Sequence, residues 1–161
     1  MQEIHIRKIK PEDNAALAAI IRGVFDELNA PKVGTAYADP QLNDMSTVYQ
    51  ADNTVYFVAE FNGTVVAGAG VAPLDNGPQG VCELQKMYSM PDARGKGIGK
   101  ALMQACLEAA REFGFEKIYL ETLPFMEDAQ ALYTKSGFEY LDAPLGNTGH
   151  SSCPVWMIKT L

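Results

Sequence analysis

Cysteine and basic charge are both scarce in this chain of 161 residues. Cys82, Cys106 and Cys153 are odd in number and show no CxxC or Cys/His ligand spacing, which argues against a disulfide framework and against a structural zinc site. A reduced, cytoplasmic protein without a metal fits that usage. There are 13 Lys and Arg against 20 Asp and Glu, a formal charge of −7. The cations that give most of the affinity for phosphate backbones are therefore few, and nucleic acid is not an expected partner. No apolar run approaches the roughly 18 residues of a membrane helix. The start, where Ile4, Ile6 and Ile9 alternate with polar residues before Pro11, is unlike a signal peptide, so no membrane partner is expected. Repeats, low-complexity tracts and linkers are missing too. What is present is an ordinary globular composition, 47% hydrophobic and 20% charged. It predicts one domain over residues 1–161 that buries roughly two-thirds of its unfolded surface.

Residues 4–9 read as a strand, and Asp13 can cap a helix whose apolar residues Leu17, Ile20, Ile21, Val24, Phe25 and Leu28 form one stripe. After a loop with Pro31 and Gly34, Pro40 can open a short helix reaching about Gln50. Residues 54–61 and 64–73 are β runs joined by Asn62-Gly63, the dipeptide best suited to a type I′ hairpin turn. A further strand covers 81–90. From 97 to 113 the apolar positions Ile98, Ala101, Leu102, Ala105, Cys106, Ala109 and Phe113 recur at helical spacing, with Gly114 placed to stop the helix. A strand at 117–121, a helix over about 125–136 ended by Gly137, and strands at 140–141 and 154–160 follow. The loop 142–153 is long for a compact domain, and such loops are more often functional than idle. Hairpins combined with one or two strand–helix–strand crossovers predict an α/β or α+β domain with a mixed sheet.

The most informative segment is Arg94-Gly95-Lys96-Gly97-Ile98-Gly99-Lys100, which follows a strand and opens a helix. Closely spaced glycines let a ligand approach the backbone, and the first helical turn offers unpaired N–H groups and the positive end of its dipole. An anion such as a pyrophosphate fits there. The spacing is not that of a P-loop, because Gly95 and Gly99 are separated by three residues and Ala101 stands where a magnesium-binding hydroxyl is needed. It is GxGxG, not the GxGxxG of a dinucleotide fold.

Cys82-Glu83-Leu84-Gln85-Lys86-Met87-Tyr88, then Pro91 and Arg94-Gly95-Lys96-Gly97-Ile98-Gly99 with Leu102, strongly resembles the acetyl-coenzyme A motif of the GNAT N-acetyltransferase superfamily. Ala129, Leu132-Tyr133 and Ser136-Gly137-Phe138 resemble its second signature, in the right order and at the right separation. The resemblance spans about residues 55–138. It implies a central, mostly antiparallel sheet flanked by helices, whose fourth and fifth strands splay apart to admit the pantetheine arm of acetyl-coenzyme A. The cofactor-binding residues it implies are Met87, Tyr88, Ser89, Arg94, Gly95, Lys96, Gly97, Ile98, Gly99, Lys100, Ala129 and Tyr133. Many members carry Asn seven residues before the tyrosine, where this chain has Met126. Members are often dimers, which leaves a homodimer as an open expectation.

Acetyl transfer to an amine needs a base, a stabilised oxyanion and a proton for the departing thiolate. Glu83 is the first candidate base, with Glu121 and His150 behind it. Backbone N–H groups around Met87 and Tyr88 can face the thioester oxygen, and Tyr133 is the expected general acid. Cys82 and Cys153 are expected to pack as small apolar residues. The acceptor site is expected between residues 147–153 and 40–50, with His150 facing the thioester. Two function classes stand side by side: an N-acetyltransferase acting on a small amine, and an acyl-coenzyme A binding or sensing domain without turnover. At the glycine turn, Gly97→Val should block backbone approach and Arg94→Ala should remove a charge-assisted contact of roughly 1.5–3 kcal/mol. Titration calorimetry with coenzyme A checks both, and wild-type affinity in two folded variants would place the site elsewhere.

Overall fold

Asn62 and Gly63 lie at φ +51° and +85°, the left-handed pair that sets Phe61 opposite Thr64 across a two-residue turn. The computed structural model in which this hairpin sits describes residues 3–148 and 151–161. Its strands are β1 (Ile4–Lys8), β2 (Val55–Phe61), β3 (Thr64–Pro73), β4 (Val81–Ser89), β5 (Lys117–Thr122), β6 (Glu139–Leu141) and β7 (Val155–Thr160). They form a sheet in the order β1-β2-β3-β4-β5-β7-β6. Neighbours run antiparallel except β4 and β5, which are parallel and joined by a helix. The helices are α1 (Asn14–Glu27), α2 (Met45–Val48), α3 (Ile98–Glu112) and α4 (Glu127–Lys135). None is long and apolar enough to cross a membrane among the described residues.

Alternation along β2 divides the core. Val55 and Ala59 face α3 together with Ala67, Ala69, Leu84, Ile118 and Leu120, whereas Tyr56 and Val58 face α1 with Leu17, Ile21 and Phe25. The α1 stripe is buried as its spacing predicts, except that Leu28 is only half covered. The buried face of α3 is wider than the sequence stripe, because Met103, Leu107 and Ala110 join it against the sheet. Both helices that precede a glycine stop are closed as expected. Gly114 and Gly137 sit at φ +86° and +98°, and Phe115 and Phe138 donate N–H bonds back to Ala110 and Tyr133.

Two local expectations are corrected. Asp13 does not cap α1 through its side chain. Its carboxylate accepts both terminal nitrogens of Arg7, at 2.8 and 3.0 Å, and the Lys10 N–H at 2.8 Å, since a buried carboxylate gains more from a guanidinium than from a single backbone donor. The segment opened by Pro40 is a 3-10 turn over Pro40–Asp44 running into the single turn of α2, not a continuous helix.

On the α1 side of β3, Gly68 and Gly70 leave space for tyrosine rings. A Cβ on Gly70 would lie 2.5 Å from Tyr56 Cδ2, 2.9 Å from the Val55 carbonyl and 3.1 Å from Tyr49 Cε1. Because backbone stands on one side, the clash cannot be relieved by a side chain alone. Gly70→Ala is therefore expected to cost about 2 kcal/mol. Thermal unfolding should show a fall in Tm of roughly 4–8 °C.

Candidate active site

The pairing of β4 with β5 stops after three residues: Val81 with Lys117, Cys82 with Ile118, Glu83 with Tyr119. Beyond that point both strands continue unpaired to each other. The cause lies in β4, where Lys86 adopts φ +49° and the ladder to β3 gains an extra residue between Gly70–Gln85 and Gly68–Tyr88. The bulge is fixed from outside. Tyr56 donates its hydroxyl to the Lys86 carbonyl at 2.7 Å, and the Lys86 ammonium pairs with Asp39 at 3.1 Å.

A cleft of about 520 Å³ opens where the strands part. The end of β4 supplies Met87, Tyr88 and Ser89, the glycine turn supplies Arg94, Gly95, Gly97, Ile98 and Gly99, and α4 supplies Ala129, Leu132 and Tyr133. A smaller cavity of about 30 Å³ continues between β4 and β5 past Leu84, Leu120, Glu121 and Thr122. Tyr133, Met87, Tyr88 and Met126 border both spaces. Lys96 and Lys100, expected among the phosphate-binding residues, do not line the cleft. Lys96 is exposed, with its ammonium 5.6 Å from the Phe61 ring centroid.

The glycines of the turn have separate reasons. Gly95 and Gly97 hold φ +77° and +81° with open space where a Cβ would stand. Gly97 precedes the first turn of α3 and makes no side-chain cap, so the helix presents its leading N–H groups to the cleft mouth. A Cβ on Gly99 would lie 3.1 Å from Leu132 Cδ2, so that glycine lets α3 and α4 approach. This cradle of donors and clear backbone fits a pyrophosphate, and the cleft behind it fits an extended thioester arm.

Arg94 is engaged within the protein. Its guanidinium forms a two-pronged pair with Glu27 at 2.9 Å each and also donates to the Ser89 carbonyl at 3.0 Å, which ties α1 to the turn.

Glu83 is buried, and its Oε1 accepts from Gln85 Nε2 at 2.6 Å. Gln85 Oε1 accepts from the Tyr49 hydroxyl at 2.6 Å. Glu121 is occupied by the long loop: it accepts the Tyr119 hydroxyl at 2.6 Å on one oxygen and Thr148 Oγ1 on the other. His150 lies outside the described residues. On either side of it, Asn147 donates to the Asp75 carbonyl and Ser152 to the Gly34 carbonyl, so the loop bridges the β3–β4 turn and the loop after α1. Burial pushes the Tyr133 phenol well above its ordinary value. The same cause raises the Cys82 and Cys153 thiols to about 12, which keeps both protonated and unreactive at neutral pH. Tyr49, Gln85, Lys86, Asp39 and Thr148 were not singled out as site residues by sequence reasoning. A period-2 reading of β4 could have found Gln85, two residues beyond Glu83 on the same face.

Comparison with known proteins joins this geometry to a family. Residues 21–138 match the model of the acetyltransferase (GNAT) family. The chain belongs to that family. It is an N-acetyltransferase, and its co-substrate is acetyl-coenzyme A. The chain is 46% identical over 158 residues, 97% of its length and 94% of the relative, to the uncharacterized N-acetyltransferase YjgM of Escherichia coli (strain K12). It is 34% identical over 120 residues, 74% of the chain and 76% of the relative, to an IAA acetyltransferase of Azospirillum brasilense. Among solved structures, a GNAT acetyltransferase from Staphylococcus aureus Mu50 superposes with a TM-score of 0.87 at 21% identity, covering 99% of each chain. The PaiA N-acetyltransferase of Thermoplasma acidophilum, in complex with coenzyme A, superposes with 0.77 at 18% identity over 99% of each chain. The likeness shows that this chain has the GNAT fold, here a mixed seven-stranded sheet flanked by helices and not closed into a barrel.

The Glu27–Arg94 pair gives a direct test of the turn in this GNAT protein. A pyrophosphate held at the turn would compete with Glu27 for the guanidinium. Both side chains are about one-third exposed, so the pair is a weak surface one. Glu27→Gln is expected to tighten coenzyme A binding by up to about fivefold at low ionic strength. Calorimetry reads the change, and an unaltered affinity would make Arg94 a clamp between α1 and the turn only.

Proposed function

We propose that this N-acetyltransferase acylates the primary amine of a small molecule, which attacks the thioester directly where β4 and β5 part. The observation that carries the reading is the meeting of the cleft and the inter-strand cavity at Tyr133, next to the unpaired edge of β4. Bound acetyl-coenzyme A supplies an acetyl group activated as a thioester. The protein has to deliver a neutral amine, receive the oxyanion and return a proton.

Glu83 takes the proton from the incoming ammonium, directly or through a water, since an amine with pKa near 10 is mostly protonated at neutral pH. The backbone of Met87 and Tyr88 lies along the edge of β4 that β5 leaves free. One N–H aimed at the developing oxyanion lowers the barrier by roughly 3 kcal/mol. Tyr133 donates to the departing thiolate. Its raised pKa keeps the proton on the phenol until then, and the apolar wall that raises it also strengthens a thiolate as a base. Arg94 and the N–H groups at the turn from Gly95 to Gly99 hold the diphosphate end. Glu83, Glu121 and a net charge of −7 favour a cationic amine over an anionic one.

Two measurements test this. Release of coenzyme A thiol across a panel of polyamines, amino acid derivatives and aminoglycosides should depend on the amine, and a preference for protein lysines or an anionic amino acid would overturn the acceptor class. Tyr133→Phe keeps the ring and its packing against Phe138, 6.0 Å between centroids. It should lower kcat by 10²–10⁴-fold. Tm and acetyl-coenzyme A affinity should scarcely move, and near-wild-type turnover would return Tyr133 to a packing role.

A further inference from the structure

We infer that Tyr49 and Gln85 are positioning residues for the general base, a phenol and an amide that together hold the Glu83 carboxylate in place and in its charged form. This rests on the reading of Glu83 as the base. Tyr49 lies 36 residues from Gln85 in the chain, at the C-terminal end of α2, and reaches β4 across the sheet face that α1 covers. Its ring is set at 5.1 Å from that of Tyr56, above Gly70, whose missing side chain leaves the room.

A primary amide has an acceptor end and a donor end, so the relay has a direction. With the Tyr49 hydroxyl donating into the Gln85 carbonyl, the NH₂ end is turned to Glu83, and it can be met there by an ionised oxygen. Both links are short, 2.6 Å. In the reverse sense the amide oxygen would face Glu83, which would have to carry a proton to meet it. The Tyr49 hydrogen would then lose the acceptor it has in Gln85 Oε1, inside a buried pocket where a stranded donor is costly. Tyr49 thus selects the amide orientation that suits the carboxylate.

The groups around Glu83 make that selection matter. Tyr119 stands opposite it on β5, with Glu121 two residues further on; the segment before β7 brings Cys153, and its own strand brings Cys82. The Tyr119 hydroxyl is committed to Glu121, and both thiols stay neutral. On β4, the Lys86 ammonium is held by Asp39. Donation from Gln85 to the Glu83 oxygen favours the ionised carboxylate.

The test is a ¹³C NMR titration of protein labelled at the glutamate carboxyl carbon, with the Glu83 resonance assigned by its loss in Glu83→Gln. It is paired with kcat/KM against pH, using the amine of highest turnover in the panel above. In Tyr49→Phe both the Glu83 midpoint and the acidic limb of the profile should move up by about one pH unit, a tenfold loss on the acid side that is recovered at higher pH. KM for acetyl-coenzyme A should be unchanged. Gln85→Leu should move both further, and it carries the test alone if Tyr49→Phe does not fold. A midpoint and limb that stay in place, with kcat/KM lowered equally at every pH, would overturn the proposal and leave the pair as packing. If Glu83→Gln keeps the wild-type rate and limb, the base assignment itself fails, and the catalytic meaning of the relay fails with it.

Discussion

The site exists because one residue of β4, Lys86, takes a backbone conformation that a strand does not use. At φ +49° it inserts an extra residue against β3, and beyond Glu83 the strand no longer follows β5. A side chain other than glycine in that region costs on the order of 1–2 kcal/mol, so the surroundings must impose it. Tyr56 does so through a buried hydroxyl on the Lys86 carbonyl, and Asp39 does so through the ammonium. Gly68 and Gly70 in turn make room for the Tyr56 ring, with Cβ positions only 2.5 Å from it. The parting of two parallel strands, an interruption that a sheet would otherwise close, is thus held open by contacts from β2, β3 and the loop before α2.

Around that gap the two sides of the molecule have different chemistry. The side formed by the turn and α4 offers backbone donors, clear glycine positions and an apolar wall ending at Tyr133, which suits a long thioester with an anionic end. The side formed by α1, α2 and the loop before β7 gathers carboxylates, with Glu83 wired to α2 through Gln85 and Glu121 wired to the loop through Thr148. Arg94 joins the two, because it belongs to the turn yet grips Glu27 of α1. Family membership decides for an enzyme over a sensing domain.

Much of the architecture was legible from residue order. The Asn62-Gly63 turn, the Gly114 and Gly137 stops and the apolar spacing of α1 and α3 depend on φ preferences and on a 3.6-residue period, which are properties of a few consecutive residues. The glycine turn before α3 was legible for the same reason, as was the resemblance carried by residues around it. The reading failed where a charged side chain had a choice of partners. Asp13 was read as a cap because it precedes a helix, but Arg7 arrives from β1 and takes it.

The sequence by itself therefore determined the strands, the longer helices, their order and the glycine turn before α3, since each follows from local conformational preference and periodic burial. Only the tertiary structure decided which carboxylate meets which donor. Tyr49 is joined to Gln85, Thr148 to Glu121 and Lys86 to Asp39 across separations that no local rule registers, whereas the Gln85–Glu83 and Tyr119–Glu121 contacts follow the two-residue period of a strand. The reason is physical: a buried charge must find its partner in three dimensions, and which partner is within 3 Å depends on strand register and on the bulge, not on neighbours in the chain.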